Sequence, residues 1–343
     1  MAPSKGLHDR LNRISHWDVN VSDLERSRAW YEATTPLRVF ARTKASQEFP
    51  GLNITEGSFE GYLMKDRTLP IGYPMIHLVQ WKTPHPVGKP YLSHTNVGWF
   101  RIVLSVPLIE EARQAVLRQG SEPFTPATKS ALRLSPSLPE LDYQVFTVHD
   151  PDGVAVEFVD IATHRSMGPS TVCAAPNTVA HNTARLESSI GFYTDVLGLD
   201  FMYGMQTEGQ VPNVYSPVGE TTGFTGAFFA MRGSGSCFFD WLQWRESPEY
   251  PTPYREPYHL GVVRCAIEVD DVEAAYQILK ERSRAHGYDI FLSEPEVWDL
   301  GSDLGARKVV NFQDPEGVAF QLVQQQGPSV VSLHPWGRGA ELV

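Results

Sequence analysis

Three cysteines in 343 residues is a small number, and Cys173, Cys237 and Cys265 lack the spacing of metal-binding cysteine pairs. Such sparse use points away from a disulfide framework and reads as buried, reduced thiols in a cytoplasmic protein. Positive charge is also short. Lys plus Arg number 29 against 40 Asp plus Glu, for a net charge of −11, and neither half carries a clustered Lys/Arg stripe. A phosphate-backbone partner is therefore not expected. No apolar run approaches membrane-spanning length, and the opening MAPSKGLHDRLNR has no apolar signal-peptide core. The expectation is a cytoplasmic protein with no membrane and no nucleic-acid partner. What is present is ordinary globular material, 42% apolar and 20% charged, in a chain long enough for two domains.

The informative feature is a repeat. Residues 76–101, IHLVQWKTPHPVGKPYLSHTNVGWFR, recur in outline at 239–264, FDWLQWRESPEYPTPYREPYHLGVVR. At one fixed, ungapped offset, Gln80, Trp81, Pro90, Tyr91, Gly98, Arg101 and Val106 meet Gln243, Trp244, Pro253, Tyr254, Gly261, Arg264 and Val269. Self-similarity at a long, regular offset signals duplicated architecture. The copies differ where chemistry would sit, because His77 in the first is Asp240 in the second.

Along the chain, Ile14–Val21 alternates loosely and reads as a strand, with Asp23 placed to cap a helix over Leu24–Glu32. The forties and fifties look weakly patterned and loop-rich. Gly61–Met64 and Pro74–Trp81 then read as strands. Pro84, Pro86 and Pro90 stiffen the connector that follows. Phe100–Val106 is a strand and Leu108–Gln119 an amphipathic helix ended by Gly120. Lys129–Leu141, rich in Ser, Pro and Leu, reads as a loop. A hairpin closes the unit through Tyr143–His149, the turn Asp150-Pro-Asp-Gly153 and Val154–Ile161. The same order then repeats: Leu186–Tyr193 answers Leu24–Tyr31, Val269-Asp-Asp271 opens the second helix, and Asp314-Pro-Glu-Gly317 is the second turn.

These landmarks resemble the vicinal oxygen chelate superfamily, which takes in glyoxalase I, extradiol dioxygenases, epimerases and bleomycin-type resistance proteins. The resemblance rests on Ile14-Ser-His16, Asp23-Leu-Glu-Arg-Ser27 with Trp30-Tyr31, and Asp150-Pro-Asp-Gly153 with Glu157. In the second half it rests on Leu186–Tyr193, Leu197-Gly-Leu199, Val269-Asp-Asp271 and Asp314-Pro-Glu-Gly317 with Gln321. It implies an α+β fold of four βαβββ modules paired into two cup-shaped domains. The expected boundaries are 14–162 and 171–325, with 326–343 a tail. Internal duplication can supply the pairing that shorter members reach by dimerising, so monomer and homodimer both stay open.

The resemblance also implies where ligands project into a cup: His16, His77, Arg101 and Glu157 in the first half, Thr178, Asp240, Arg264 and Gln321 in the second. The strand around Thr178 contains a proline and admits a slip toward His181. Two imidazoles and a carboxylate suit Fe(II), with Mn(II) or Ni(II) as competitors. The expected metal ligands are thus His16, His77 and Glu157, with the second half metal-free. Singly, each of these residues reads as well as a hydrogen-bonded strand histidine or a solvated acid. Arg101, where ring-cleaving members place histidine, is expected to orient an anionic substrate, and His149 to move protons. Were the modules instead paired across the halves, His16 and His77 would face Arg264 and Gln321. Trp17, Tyr62, Trp81, Trp99 and Tyr143 are pocket or core aromatics.

Three functional readings follow. The first is a metal-dependent oxygenase acting on an aromatic or enolisable small molecule. The second is a metal-dependent isomerase, epimerase or lyase of glyoxalase type. The third is a binding protein that holds a small molecule without chemistry.

Overall fold

The computed structural model describes residues 6–67, 73–106, 108–124, 128–132, 141–161, 175–206, 211–212, 221–231 and 238–325. The first module runs β1 (Leu11–Asn20), α1 (Leu24–Thr34), β2 (Leu37–Phe49), β3 (Ile54–Asp66) and β4 (Met75–Thr83). The second runs β5 (Gly98–Ser105), α2 (Ile109–Arg118), β6 (Thr128–Leu132), β7 (Leu141–His149) and β8 (Ala155–Ile161). In the third, β9 (Ala175–Asn182) and α3 (Leu186–Gly191) precede β10 (Asp200–Gln206), the short β11 (Val211–Pro212) and β12 (Thr221–Thr222), β13 (Phe224–Ala230) and β14 (Phe238–Trp244). The fourth is β15 (Gly261–Val269), α4 (Val272–Ala285), β16 (Glu296–Asp299), β17 (Ala306–Gln313) and β18 (Ala319–Gln325).

Local chemistry sets the boundaries. The Asp23 carboxylate accepts from the Arg26 backbone N–H at 3.0 Å and Asp271 from that of Ala274 at 3.1 Å, capping α1 and α4. In each closing hairpin an aspartate organises the turn. Asp150 Oδ1 accepts from the N–H groups of Asp152 and Val154, and Asp314 Oδ1 from those of Glu316 and Val318. Gly153 and Gly317 supply the positive φ, +100° and +89°, that these turns demand. Two expectations fail locally. Residues read as loop-rich form the long β2–β3 hairpin, and Thr128–Leu132 is a strand within the supposed loop at 129–141. In β2 the inward positions include Ala41 and Ala45, too small to announce a buried face.

The larger correction concerns pairing. Among the described residues there are two eight-stranded sheets, ordered β16-β17-β18-β15-β1-β4-β3-β2 and β10-β13-β14-β9-β5-β8-β7-β6. The first joins module one to module four through antiparallel β1–β15, and the second joins module two to module three through antiparallel β5–β9. The segment 14–162 is therefore divided between two sheets, and so is 171–325. Each half is held together by its helices and turns instead. Tyr31 Oη donates to Asp150 at 3.2 Å and Tyr193 Oη to Asp314 at 2.5 Å. Asp152 accepts from Ser22, Arg26 and Ser27, and Glu316 from Thr183, Ala184 and Ser189. The expected tail, 326–343, lies outside the described residues.

One core runs under all four helices, including Trp17, Tyr31, Trp99, Tyr193 and Trp241. A second cluster, with Phe49, Phe59, Leu63, Trp81, Trp298 and Leu304, lies inside the first sheet. That sheet curls until its edges meet. Lys44 N donates to Leu300 O at 3.1 Å, and Gln47 bonds Val297 O and the Asp299 N–H, bringing β2 to β16. Cys265 is fully buried in the core. The side chains of Cys173, Cys237 and Tyr143 lie outside the described residues.

Candidate functional site

Inside the first sheet is a narrow cup lined from β1, β3, β4, β15, β16, β17 and β18. Strand alternation builds its floor. On β1, His16 and Asp18 point inward while Trp17 between them is fully buried in the core on the other face. On β4, His77 is inward and Ile76 and Leu78 are core. Asp18 and His77 are Cα partners across the parallel β1–β4 pair, which sets their side chains next to each other.

The contacts are close. His77 Nδ1 lies 2.7 Å from Asp18 Oδ1, and its Nε2 lies 2.8 Å from Thr43 Oγ1. His16 Nε2 is 3.4 Å from the same Asp18 oxygen, and its Nδ1 is 3.0 Å from Ser15 Oγ. Potential ligand atoms of His16, Asp18 and His77 all lie within 4.8 Å of one another. From module four, Arg264 places Nε 2.7 Å and Nη2 2.6 Å from Asp18 Oδ2. Arg264 also donates to Asn311 Oδ1, which accepts from Gln321 as well. Its guanidinium sits 5.0 Å above the Trp298 ring.

Electrostatics divide the labour. Burial pushes the His16 imidazole down to about 4, against the pull of Asp18, so it is a neutral nitrogen donor at neutral pH. Burial alone would raise Asp18. The Arg264 charge and the hydrogen bonds from His16 and His77 outweigh it and hold the carboxyl well below the usual carboxylate range. Two imidazoles and an ionised carboxylate converging in a partly dry cavity are a donor set that fits a first-row divalent metal ion.

The sequence-expected residues divide. His16 and His77 are brought together, but Glu157 and Arg101 are not with them. Both belong to the second sheet, where Arg101 Nε is 3.3 Å from Glu157 and Nη2 is 3.8 Å from Asp240. The expected triad of His16, His77 and Glu157 is therefore corrected, as is a role for Arg101 beside it. The cause is the cross-half pairing, which substitutes Arg264 and Gln321 for them. His149 is exposed at the end of β7, stacks on Phe124 at 4.3 Å and does not line the first cup. Asp18 is absent from the expected ligands, although the alternation His16-Trp17-Asp18 already places it on the face of His16. Trp81 lines the cup, whereas Trp17 and Trp99 are core and Tyr62 donates to Glu25.

The second sheet shows what the first would be without its donors. Arg101 is paired in register with Ala180, where Arg264 is paired with Asp18. Asp240 is paired with Ala180, where His77 is paired with Asp18. Burial raises Asp240 to about 6, opposed by Arg101. His181, the alternative to Thr178, is fully buried in the core beside Trp99 and Trp241. The Thr178 side chain lies outside the described residues.

Residues 175–322 match the family model of the Glyoxalase/Bleomycin resistance protein/Dioxygenase superfamily. The two-cup arrangement extends the same architecture over the remainder. That family match lies in the second half of the chain. Glyoxalase I from Zea mays is similar at 16% identity and a TM-score of 0.59, over 94% of this chain and 95% of that one. A point mutant of the same maize enzyme gives 17% identity and 0.58 over the same shares. A putative dioxygenase from Bacillus subtilis subsp. subtilis str. 168 is similar at 12% identity and 0.54, over 94% and 87%. At these identities the likeness establishes fold, not activity. No curated protein matches the chain by sequence. The family match over 175–322 supports a metal-dependent enzyme or a binding protein of small molecules. Among the described residues no helix is long and apolar enough to cross a membrane.

Proposed function

We propose that the cup of modules one and four binds a divalent metal ion through His16, His77 and Asp18, and that the protein is a metal-dependent oxygenase acting on an aromatic or enolisable small molecule. Fe(II) is the favoured ion, with Mn(II) and Ni(II) as competitors. The observation that carries this reading is the convergence of two imidazoles and one ionised carboxylate in a single cavity. That ligand composition, with positions left open, suits non-haem iron. When bound, such an ion supplies Lewis acidity and, as iron, the redox chemistry that oxygen activation requires.

The chain's own residues do the rest. Arg264 keeps Asp18 ionised and fixed in place. The 2.7 Å contact from Asp18 Oδ1 to His77 Nδ1 also fixes where the His77 ring sits beside it. Phe59, Trp81 and Trp298 give the cavity an apolar wall that suits a planar substrate and sheds water. The second cup, with Arg101 set between Glu157 and Asp240, is metal-free and supports the fold.

The test is oxygen uptake by anaerobically iron-loaded protein presented with a panel of aromatic diols and α-hydroxyketones. Uptake of one O2 per substrate consumed is expected. Turnover without oxygen consumption would move the assignment to the isomerase and lyase class. Failure to retain iron at all would end it.

A further inference from the structure

The cup carries more positive charge than its metal donors explain. Three arginines line it, Arg13, Arg264 and Arg307, against one acid, Asp18, among the described residues. Arg264 is taken up by Asp18. Arg13 is paired with Glu268 Oε2 at 2.9 Å, its register partner on β15. Arg307, on β17, is different. It is 6% exposed, forms no ion pair among the described residues, and its Nε has no hydrogen-bond partner there. Leaving a buried guanidinium N–H unsatisfied is costly, and one that lines a cavity can be completed by a bound ligand.

We infer that Arg307 is the anchor of an anion subsite in this cup, and that the substrate is a small monoanion with an apolar, planar body, best represented by an aromatic carboxylate. The inference rests on the cup being the substrate site, as proposed above, and adds the substrate's charge and orientation. Arg307 shares one cavity with His16, and its charge is among the forces that hold His16 neutral. Burial lowers the guanidinium to about 10, assisted by Arg13 and opposed by Glu268, which leaves it cationic at neutral pH. A guanidinium fork matches a carboxylate in shape, with two parallel N–H donors for two oxygens. Leu304, Trp298 and Phe59 line the same cavity and give a ring apolar surface to lie against. A substrate held this way places its carboxylate at Arg307 and presents its far oxygen to the metal donors.

The experiment uses 4-hydroxybenzoate and its neutral counterpart 4-hydroxybenzamide, of equal size and ring. Binding is followed by calorimetry and by tryptophan fluorescence, since Trp81 and Trp298 line the cup. Metal-stripped and Zn(II)-loaded full-length protein are both titrated, with zinc content measured separately. The acid is expected to bind at least about tenfold more tightly than the amide in both forms, the strength of a charge-assisted bidentate contact. In Arg307→Met that preference falls to within about twofold, and Arg307→Lys, which keeps the charge but loses the fork, retains only part of it. Arg307→Gln should lose the preference as Arg307→Met does, and it retains a buried polar head that guards against misfolding as the cause. Equal affinities in the unmodified protein, no binding of the acid, or an undiminished preference in both Arg307→Met and Arg307→Gln would each overturn the subsite. A preference that persists while zinc fails to bind would overturn the metal reading and leave the subsite standing.

Discussion

Asp18 and Arg264 are register partners across the antiparallel junction of β1 and β15, and their side chains close to 2.6 Å. One comes from the first module and the other from the last. This ion pair thus ties the first and last modules together at the floor of the cup, with Asp18 only 2% exposed. Replacing Arg264 with Met removes the cation and leaves the carboxylate buried. The expected cost is about 3–5 kcal/mol of unfolding free energy, measured by denaturant titration, with much of it recovered in the Asp18→Asn, Arg264→Met double variant. Simple additivity of the two changes would show that the pair does not act as a unit.

Gly61 is the next point of sensitivity. A Cβ there would lie 2.7 Å from His77 Nε2, 2.5 Å from Thr43 Oγ1 and 2.6 Å from the Leu78 carbonyl oxygen. Gly61→Ala must therefore push the imidazole off its Thr43 and Asp18 partners. Metal affinity is expected to fall by about 10–100-fold, the range seen when groups that orient a ligand are disturbed. Competition with a chelating dye measures it. Unchanged affinity would mean that His77 is not held for ligation in this position.

His181 gives a pH signature separate from the cup. Burial lowers it from 6.5 to about 3. Between those values the unfolded chain binds a proton at His181 and the folded chain does not. Stability therefore rises with pH through this window, is fully present above 6.5, and is lost as pH falls toward 3. On going from pH 7 to 4.5 the unmodified protein should lose about 2–3 kcal/mol that His181→Leu does not lose. Asp314, raised to about 7 by burial, contributes in the opposite direction in both proteins, so the comparison is made between the two pH profiles. Parallel acid limbs would show that His181 is protonated in the folded state.

Much of this architecture is legible before any coordinates. The caps Asp23 and Asp271, the paired turns at Asp150 and Asp314, and the repeat joining Gly98 to Gly261 all rest on local rules. Both glycines hold φ near +120°, with a Cβ at either meeting the second connector at Pro253 or Tyr254. His16 and His77 are legible too, as polar residues alternating with apolar neighbours on flanking strands. The partner of a module is not. Strand β1 offers the same antiparallel edge to β5 or to β15, and no residue spacing chooses between them. With that choice unread, Glu157 falls to His16 as its carboxylate, whereas Asp18, two residues along the same strand, stands beside it. The β2–β3 hairpin escapes the pattern because Ala41 and Ala45 mark its inner face with so little apolar bulk.

Metal content by mass spectrometry, measured on three forms of the anaerobically iron-loaded protein, tests the central claim most directly. The unmodified protein and Glu157→Gln should each retain close to one equivalent per chain, and His16→Ala, His77→Ala should retain essentially none. Loss of metal in Glu157→Gln, or its retention in the double variant, would contradict a metal centre built by the first and last modules.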